Sequence, residues 1–367
     1  MMTKDHIKQC CFLFTFQRDN RRLFKINYTP IRGIFKILLI LFFLPTMLFS
    51  QDIHYSQFNS SPQNLNPAQT GIFNGDWRFV GNYRSQWSAI PVPYKTFSMA
   101  SDTRIKTNLK NDVPAAGLII NSDQSGDSRF TTAQVFLSAA YIKQLTADST
   151  NFLSIGIQPG ISTKKFNVNK LSFDSQFDGD QYNASLSNLE NFNNTKITYF
   201  DLGAGLVYLW RKNERTQLNI GASLFHMNQP KQSFFNNETK LDIKTTITAI
   251  AQFAIATQLD VLPSFLYQRQ GRYNEAVLGA FLKYYLMQIN GHPAAISLGA
   301  FYRYKDAFFM VANMDYQNFI FGISYDANTS KLLEATNRRG GFELSVIYIF
   351  KKLKPFIAKK RVCPIYM

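Results

Sequence analysis

The sequence is short of cysteine, of charge and of long apolar runs, and each shortage excludes something. Three cysteines occur in 367 residues, and Cys10 and Cys11 lie within the first 50. Cys363 is then the only cysteine of an exported chain, which can hold no internal disulfide. Charged side chains make up 17% of the residues, against about 25% in ordinary soluble chains. Mean hydropathy is −0.16, and only one segment, Ile34 to Ser50, is a sustained apolar run. A bundle of membrane helices, each needing about 20 apolar residues, is excluded. HExxH, GxSxG and paired cysteines are also missing, and His54, His226 and His292 fall in separate segments. No catalytic residue, cofactor or metal site is expected, and the chain reads as a non-enzyme.

What the chain does have is rings: 34 Phe and 18 Tyr, with aromatics at 15%. It also has a leader. Arg32 and Lys36 flank the apolar core Ile37 to Leu44, Pro45 ends it, and Ser50 is a small residue before Gln51-Asp52. This is the anatomy of a secretory signal cut after Ser50, with Met1 to Thr29 as an upstream extension. The leader carries eight Lys/Arg and two Asp, a net +6, so the +16 of the whole chain becomes +10 after cleavage. Export makes nucleic acid an improbable partner despite this basicity.

Past the leader the pattern has a period of two. In YFDLGAGLVYLW (Tyr199 to Trp210), Phe200, Leu202, Ala204, Leu206, Tyr208 and Trp210 oppose Asp201, Gly203 and Gly205. An extended chain puts the two sets on opposite faces. The same alternation marks fourteen segments: 77–87, 94–105, 114–123, 129–145, 151–165, 197–211, 215–227, 245–256, 261–269, 273–287, 294–304, 307–316, 319–327 and 341–350. Most have nine or more residues, as a tilted strand needs to cross a bilayer; strands of soluble proteins peak near 5–6. Connections are short on one side, whereas the other carries 166–196, 228–240 and 328–340. Short periplasmic turns and long outer loops are the asymmetry of an outer-membrane barrel. Aromatics at strand ends (Tyr199, Tyr208, Trp210, Tyr284, Tyr285, Tyr302, Tyr304, Tyr348 and Phe350) suggest interfacial girdles. A secreted β-sandwich alternates too, but with shorter strands.

The expected fold is all-β: one antiparallel transmembrane β-barrel of about 14 strands after a cleaved signal peptide. Its divisions are 1–50 for extension and signal, 51–76 for a periplasmic N-terminal segment, 77–350 for the barrel and 351–367 for a basic periplasmic tail. In the second of these, Asn66-Pro67 opens a turn that Gly71 closes, either as a plain turn or docked inside the barrel. Arg84, if it faces a lumen, needs carboxylate or carbonyl partners, with Asp102, Asp201, Glu275 and Glu343 as possible carboxylates. Phe281 and Tyr285 point inward and suggest partial occlusion. Asp174, Asp178 and Asp180 lack the spacing of a calcium loop and read as solvated. His226 reads as a turn or interfacial residue. The tail holds six Lys/Arg in 17 residues, either solvated or a docking strip for an acidic periplasmic partner or anionic lipid.

In order along the chain, SQF and NPA-x-x-G (Asn66, Pro67, Gly71), YR-x-QW (Arg84, Gln86, Trp87), LGAGLVYLW, LNIGASLFHMNQPKQSF, GGFELSVIYIF and the CPIY tail (Cys363, Pro364) resemble the PorP/SprF family. These are outer-membrane proteins of the type IX secretion and gliding machinery of Bacteroidetes. The resemblance implies an outer-membrane protein, without a cofactor, that helps cargo such as gliding adhesins reach or stay on the cell surface. It implies as partners the secreted cargo, other secretion components and outer-membrane lipid. A diffusion channel or small-solute transporter is the other reading, in which Arg84, Asp201, Glu275 and Lys283 line a pore.

Overall fold

A computed structural model describes residues 52–86, 94–107, 112–188, 190, 194–234, 238–287, 294–329 and 339–352. Fourteen strands form one closed antiparallel barrel. The first seven are β1 (Trp77–Gln86), β2 (Tyr94–Arg104), β3 (Asp112–Ser125), β4 (Phe130–Gln144), β5 (Asn151–Lys165), β6 (Lys196–Asn213) and β7 (Thr216–Phe225). The rest are β8 (Lys244–Ala256), β9 (Leu259–Gln270), β10 (Tyr273–Met287), β11 (Ala294–Arg303), β12 (Ala307–Tyr316), β13 (Phe319–Asn328) and β14 (Arg339–Phe350). Each pairs with its sequence neighbours, and β1 closes on β14 with Arg84 opposite Glu343. Closure leaves no unpaired strand edge, which hydrocarbon would not tolerate. Of the described residues, no helix is long and apolar enough to span a membrane.

The expected strands agree with these to within about two residues at nearly every end, because side-chain parity marks them clearly. Along β11 and β12 buried and exposed positions alternate, with Leu298 and Met310 each 62% exposed on the outer face. β6 runs two residues past its expected end, to Asn213, where a register shift lets it turn directly into β7. One expected girdle tyrosine faces inward instead, since Tyr199 is buried, and Tyr285, placed by the sequence both at a girdle and inward, points inward, its hydroxyl donating to Asp260 at 2.9 Å. Both follow from parity, since Phe200 and Tyr284 take the outward position beside them. At the short-turn end the outer rings do gather: Phe319 lies 4.7 Å from Tyr348 and 5.6 Å from Phe321, and Trp77 stacks on Phe79.

The lumen is not empty. Residues 52–76, assigned from sequence to a periplasmic N-terminal segment whose Asn66–Gly71 turn could also dock in the barrel, lie inside the barrel as a plug. Short helical turns at Phe58–Ser60, Pro62–Leu65 and Pro67–Gln69 break its path. Phe58 and Leu65 join inward-facing Leu266, Val277, Phe281, Phe301, Phe309 and Val311 in one apolar cluster. Phe281 thus packs against the plug and not across an open pore. The first 51 residues, Trp87 and everything after Lys352, including Cys363 and Pro364, lie outside the described residues.

The outer face generates a direct test. Replacing Leu298, mid-strand in β11, by Arg puts a charge into hydrocarbon at a cost of about 2–4 kcal/mol near the midplane. Urea unfolding in lipid vesicles should show that loss, while a lumen-facing change at Ser297 should show much less.

Candidate functional site: the plugged lumen

The plug is held by charge at both ends and by uncharged hydrogen bonds between. Toward the long-loop end, two lumenal arginines meet three buried carboxylates. Arg84 reaches Glu343 at 2.8 Å and Asp326 at 3.4 Å; Arg303 reaches Glu275 at 2.9 Å and Asp326 at 3.4 Å. The plug completes this cluster. Ser56 and Gln57 donate successive backbone N–H groups to the two Glu343 oxygens at 2.7 and 2.8 Å. The Ser56 hydroxyl donates to Asp326 at 2.6 Å and accepts from Arg303 at 2.7 Å, and Arg84 donates to the His54 carbonyl at 3.0 Å. Charge-assisted bonds of this kind are the strong ones, and low dielectric strengthens them further.

At the other end, Arg78 grips Asp102 with two nitrogens, at 2.9 and 2.7 Å. The same guanidinium donates to the carbonyls of Gln69 and Ile72, and Asp102 accepts the Gly71 N–H at 2.7 Å. Arg104 donates to the carbonyls of Gly71 and Phe73 and lies over the Phe73 ring beside Arg78. Gly71 has φ +79°, a conformation that favours glycine.

Between the ends, Asn66 acts as a clasp. Its Nδ2 donates to the carbonyls of Leu206 and Ala222 at 3.0 Å each, while Oδ1 accepts from the Ala68 N–H and so opens the Pro67–Gln69 turn. Carbonyls of Leu65 and Ala68 accept from Ser223 and Ser154, and Thr70 pairs with Ser138 at 2.6 Å. The wall glycines serve this approach. A Cβ on Gly156 would collide with the backbone of Pro67 and Ala68, and one on Gly205 with the Asn66 side chain.

The first described residue is latched separately. Asp52 lies 3.3 Å from both His226 Nε2 and Lys244 Nζ, and His226 Nδ1 meets Asp201 at 2.7 Å. Burial of the imidazole opposes its charge, but Asp52 and Asp201 outweigh that and raise its pKa to about 9. His226, with φ +57°, is a turn residue as expected from sequence, and it is also an ion-pair partner.

The plug leaves a vestibule at each mouth. The outer one, about 710 Å3, is lined by Asp52, His54, Gln86, Tyr94, Lys164 and Tyr273 among others; the inner one, about 540 Å3, by Phe73, Asn74, Arg211 and Glu214 among others. Among the described residues no group of three His, Cys, Asp or Glu is placed to hold a metal ion.

The description of the type IX secretion system membrane protein PorP/SprF matches residues 47–348. The chain belongs to the PorP/SprF family. It is accordingly an outer-membrane β-barrel of the type IX secretion system. No protein with a curated description matches this PorP/SprF chain in sequence. Among solved structures it is similar to the CymD monoaromatic hydrocarbon channel, at 8% identity over 80% of this chain and 93% of that one, TM-score 0.45. The Pseudomonas putida toluene transporter TodX follows at 10% identity, 78% and 93% coverage and TM-score 0.43. A Pseudomonas aeruginosa FadL homologue follows at 10% identity, 76% and 76% coverage and TM-score 0.38.

Of the motif residues, Asn66, Pro67, Gly71 and Arg84 meet the plug–wall interface, and Gln86 lines the outer vestibule. Of the four candidate partners for Arg84, the PorP/SprF barrel uses Glu343; Asp102 takes Arg78, Asp201 takes His226 and Glu275 takes Arg303. Asp326, Arg78 and Arg303 escaped the sequence reading. The signal present was inward parity of a charge in an otherwise apolar strand, as at Arg303 in AAISLGAFYR.

Two predictions follow from these contacts. Glu343→Ala leaves Arg84 short of its main counter-charge and strips two plug amides of their acceptor, a loss of about 3–5 kcal/mol for a broken buried pair. Thermal unfolding in detergent measures it. His226, raised from 6.5 to about 9 on folding, contributes stability that is full below pH about 6.5 and is lost as pH climbs through about 9. Melting temperature should fall across that interval, and His226→Gln should flatten the slope.

Proposed function

We propose that this barrel is a non-enzymatic scaffold of type IX secretion, supporting export or surface attachment of cargo proteins such as gliding adhesins. One observation supports this most: the lumen is occupied by the chain's own residues 52–76, tied to the wall by Glu343 at one end and Asp102 at the other. A barrel so filled presents two faces, with protein occupying the lumen between them. Its outer face carries the 30-residue connection between β5 and β6 and the 18-residue connection between β7 and β8, where cargo would bind. Its inner face carries short turns together with Lys351 and Lys352, where other secretion components would bind.

The competing reading is a solute channel, and two measurements separate them. Purified barrel in planar bilayers should show no steady conductance, whereas a variant lacking residues 52–70 should conduct; steady openings in the intact protein would favour the channel. In cells, deletion of the gene should remove particular proteins from the surface and the medium. An unchanged surface proteome with altered solute uptake would overturn the scaffold reading.

A further inference from the structure

The plug has a direction. Asp52 touches His226 just past β7 and Lys244 at the start of β8, and its N–H donates to Gln270 at the end of β9. These three positions lie at the long-loop mouth. Twenty-four residues later Asp76 is at the opposite mouth, its N–H donating to the Phe350 carbonyl and its carboxylate accepting from the Lys352 N–H. Residues 52–76 therefore run through the lumen from outside to inside, and β1 then turns back outward through the wall.

From this path we infer that the amino-terminal end of the processed chain faces the cell exterior, at the outer vestibule. Long loops mark the outer side of such barrels, so Asp52 lies at that side. Ser56, Gln57, Gln63, Asn66, Gln69 and Thr70 are buried along this path. Seam closure seals the path, because Glu343 of β14 receives both its strand partner Arg84 and the plug amides of Ser56 and Gln57. The inference holds whichever cargo the barrel serves.

Cysteine accessibility tests it in the full chain, in a Cys363→Ser background and its own outer membrane. Ile53→Cys lines the outer vestibule and Asn74→Cys the inner one. A membrane-impermeant maleimide should label Ile53→Cys on intact cells and Asn74→Cys only after the outer membrane is permeabilised. Labelling of Ile53→Cys only after permeabilisation, or its failure to label in either state while Asn74→Cys labels, would overturn the direction.

Discussion

A barrel of fourteen strands is too wide for its own side chains to fill. Eight strands leave an interior that side chains close, and sixteen to eighteen leave a water channel. Fourteen lies between, so the lumen must be completed by water or by additional protein. Here the chain completes it with its own first described segment. The rest of the structure follows from that constraint. Inward positions are small where the plug backbone approaches, as at Gly156 and Gly205, and polar where it needs partners, as at Ser138, Ser154 and Ser223. Several of the inward charges are shared with a plug amide or carbonyl.

The two charged clusters differ in what they join. Arg78 and Asp102 lie on the adjacent strands β1 and β2 and fix the plug where it enters the wall, only a few residues before Trp77. Chain connectivity already holds that end close, so the pair sets geometry more than position. The outer cluster joins β1, β10, β11, β13 and β14 through Arg84, Glu275, Arg303, Asp326 and Glu343. It lies across the β1–β14 seam, the closure most distant in sequence. Buried ion pairs add little net stability compared with apolar packing, yet breaking one is costly. Such a cluster therefore selects one arrangement, with the plug in place and the seam closed, over open or unplugged alternatives.

The wall was legible in the sequence because lipid imposes a strict rule. Every second residue must be apolar over the full bilayer thickness, so strands such as β10 and β12 show themselves by parity alone. The plug obeys no such rule. Its backbone is irregular, its residues Ser, Asn, Gln and Pro read as an ordinary polar loop, and its hydrogen bonds go to residues up to 288 positions away, as from Ser345 to Gln57. Nothing local announces such partners. Arg84 was recognisable as a lumenal charge, but its partner depended on which strand sits beside β1, and only closure with β14 places Glu343 opposite. Tyr199 shows the converse error: proximity to a strand end suggested a girdle, whereas parity, which was available, assigns it to the lumen, as it did Tyr285.

Whether such a plug acts as a gate or as a fixed part depends on how its attachments are spread. A gate needs one weakly held segment that moves while the remainder stays, since segments that open are drawn from those with few buried contacts. This plug has no such segment among its described residues. Asp52 is tied to His226 and Lys244, Ser56 and Gln57 to Glu343, Asn66 to two carbonyls of neighbouring strands, and Gly71 to Asp102. Moving Ser56 and Gln57, Asn66 or Gly71 would leave a carboxylate or a strand carbonyl without the plug group it bonds, and the stretch between them is tied to wall side chains at Asn82, Asn121, Ser223 and Ser264.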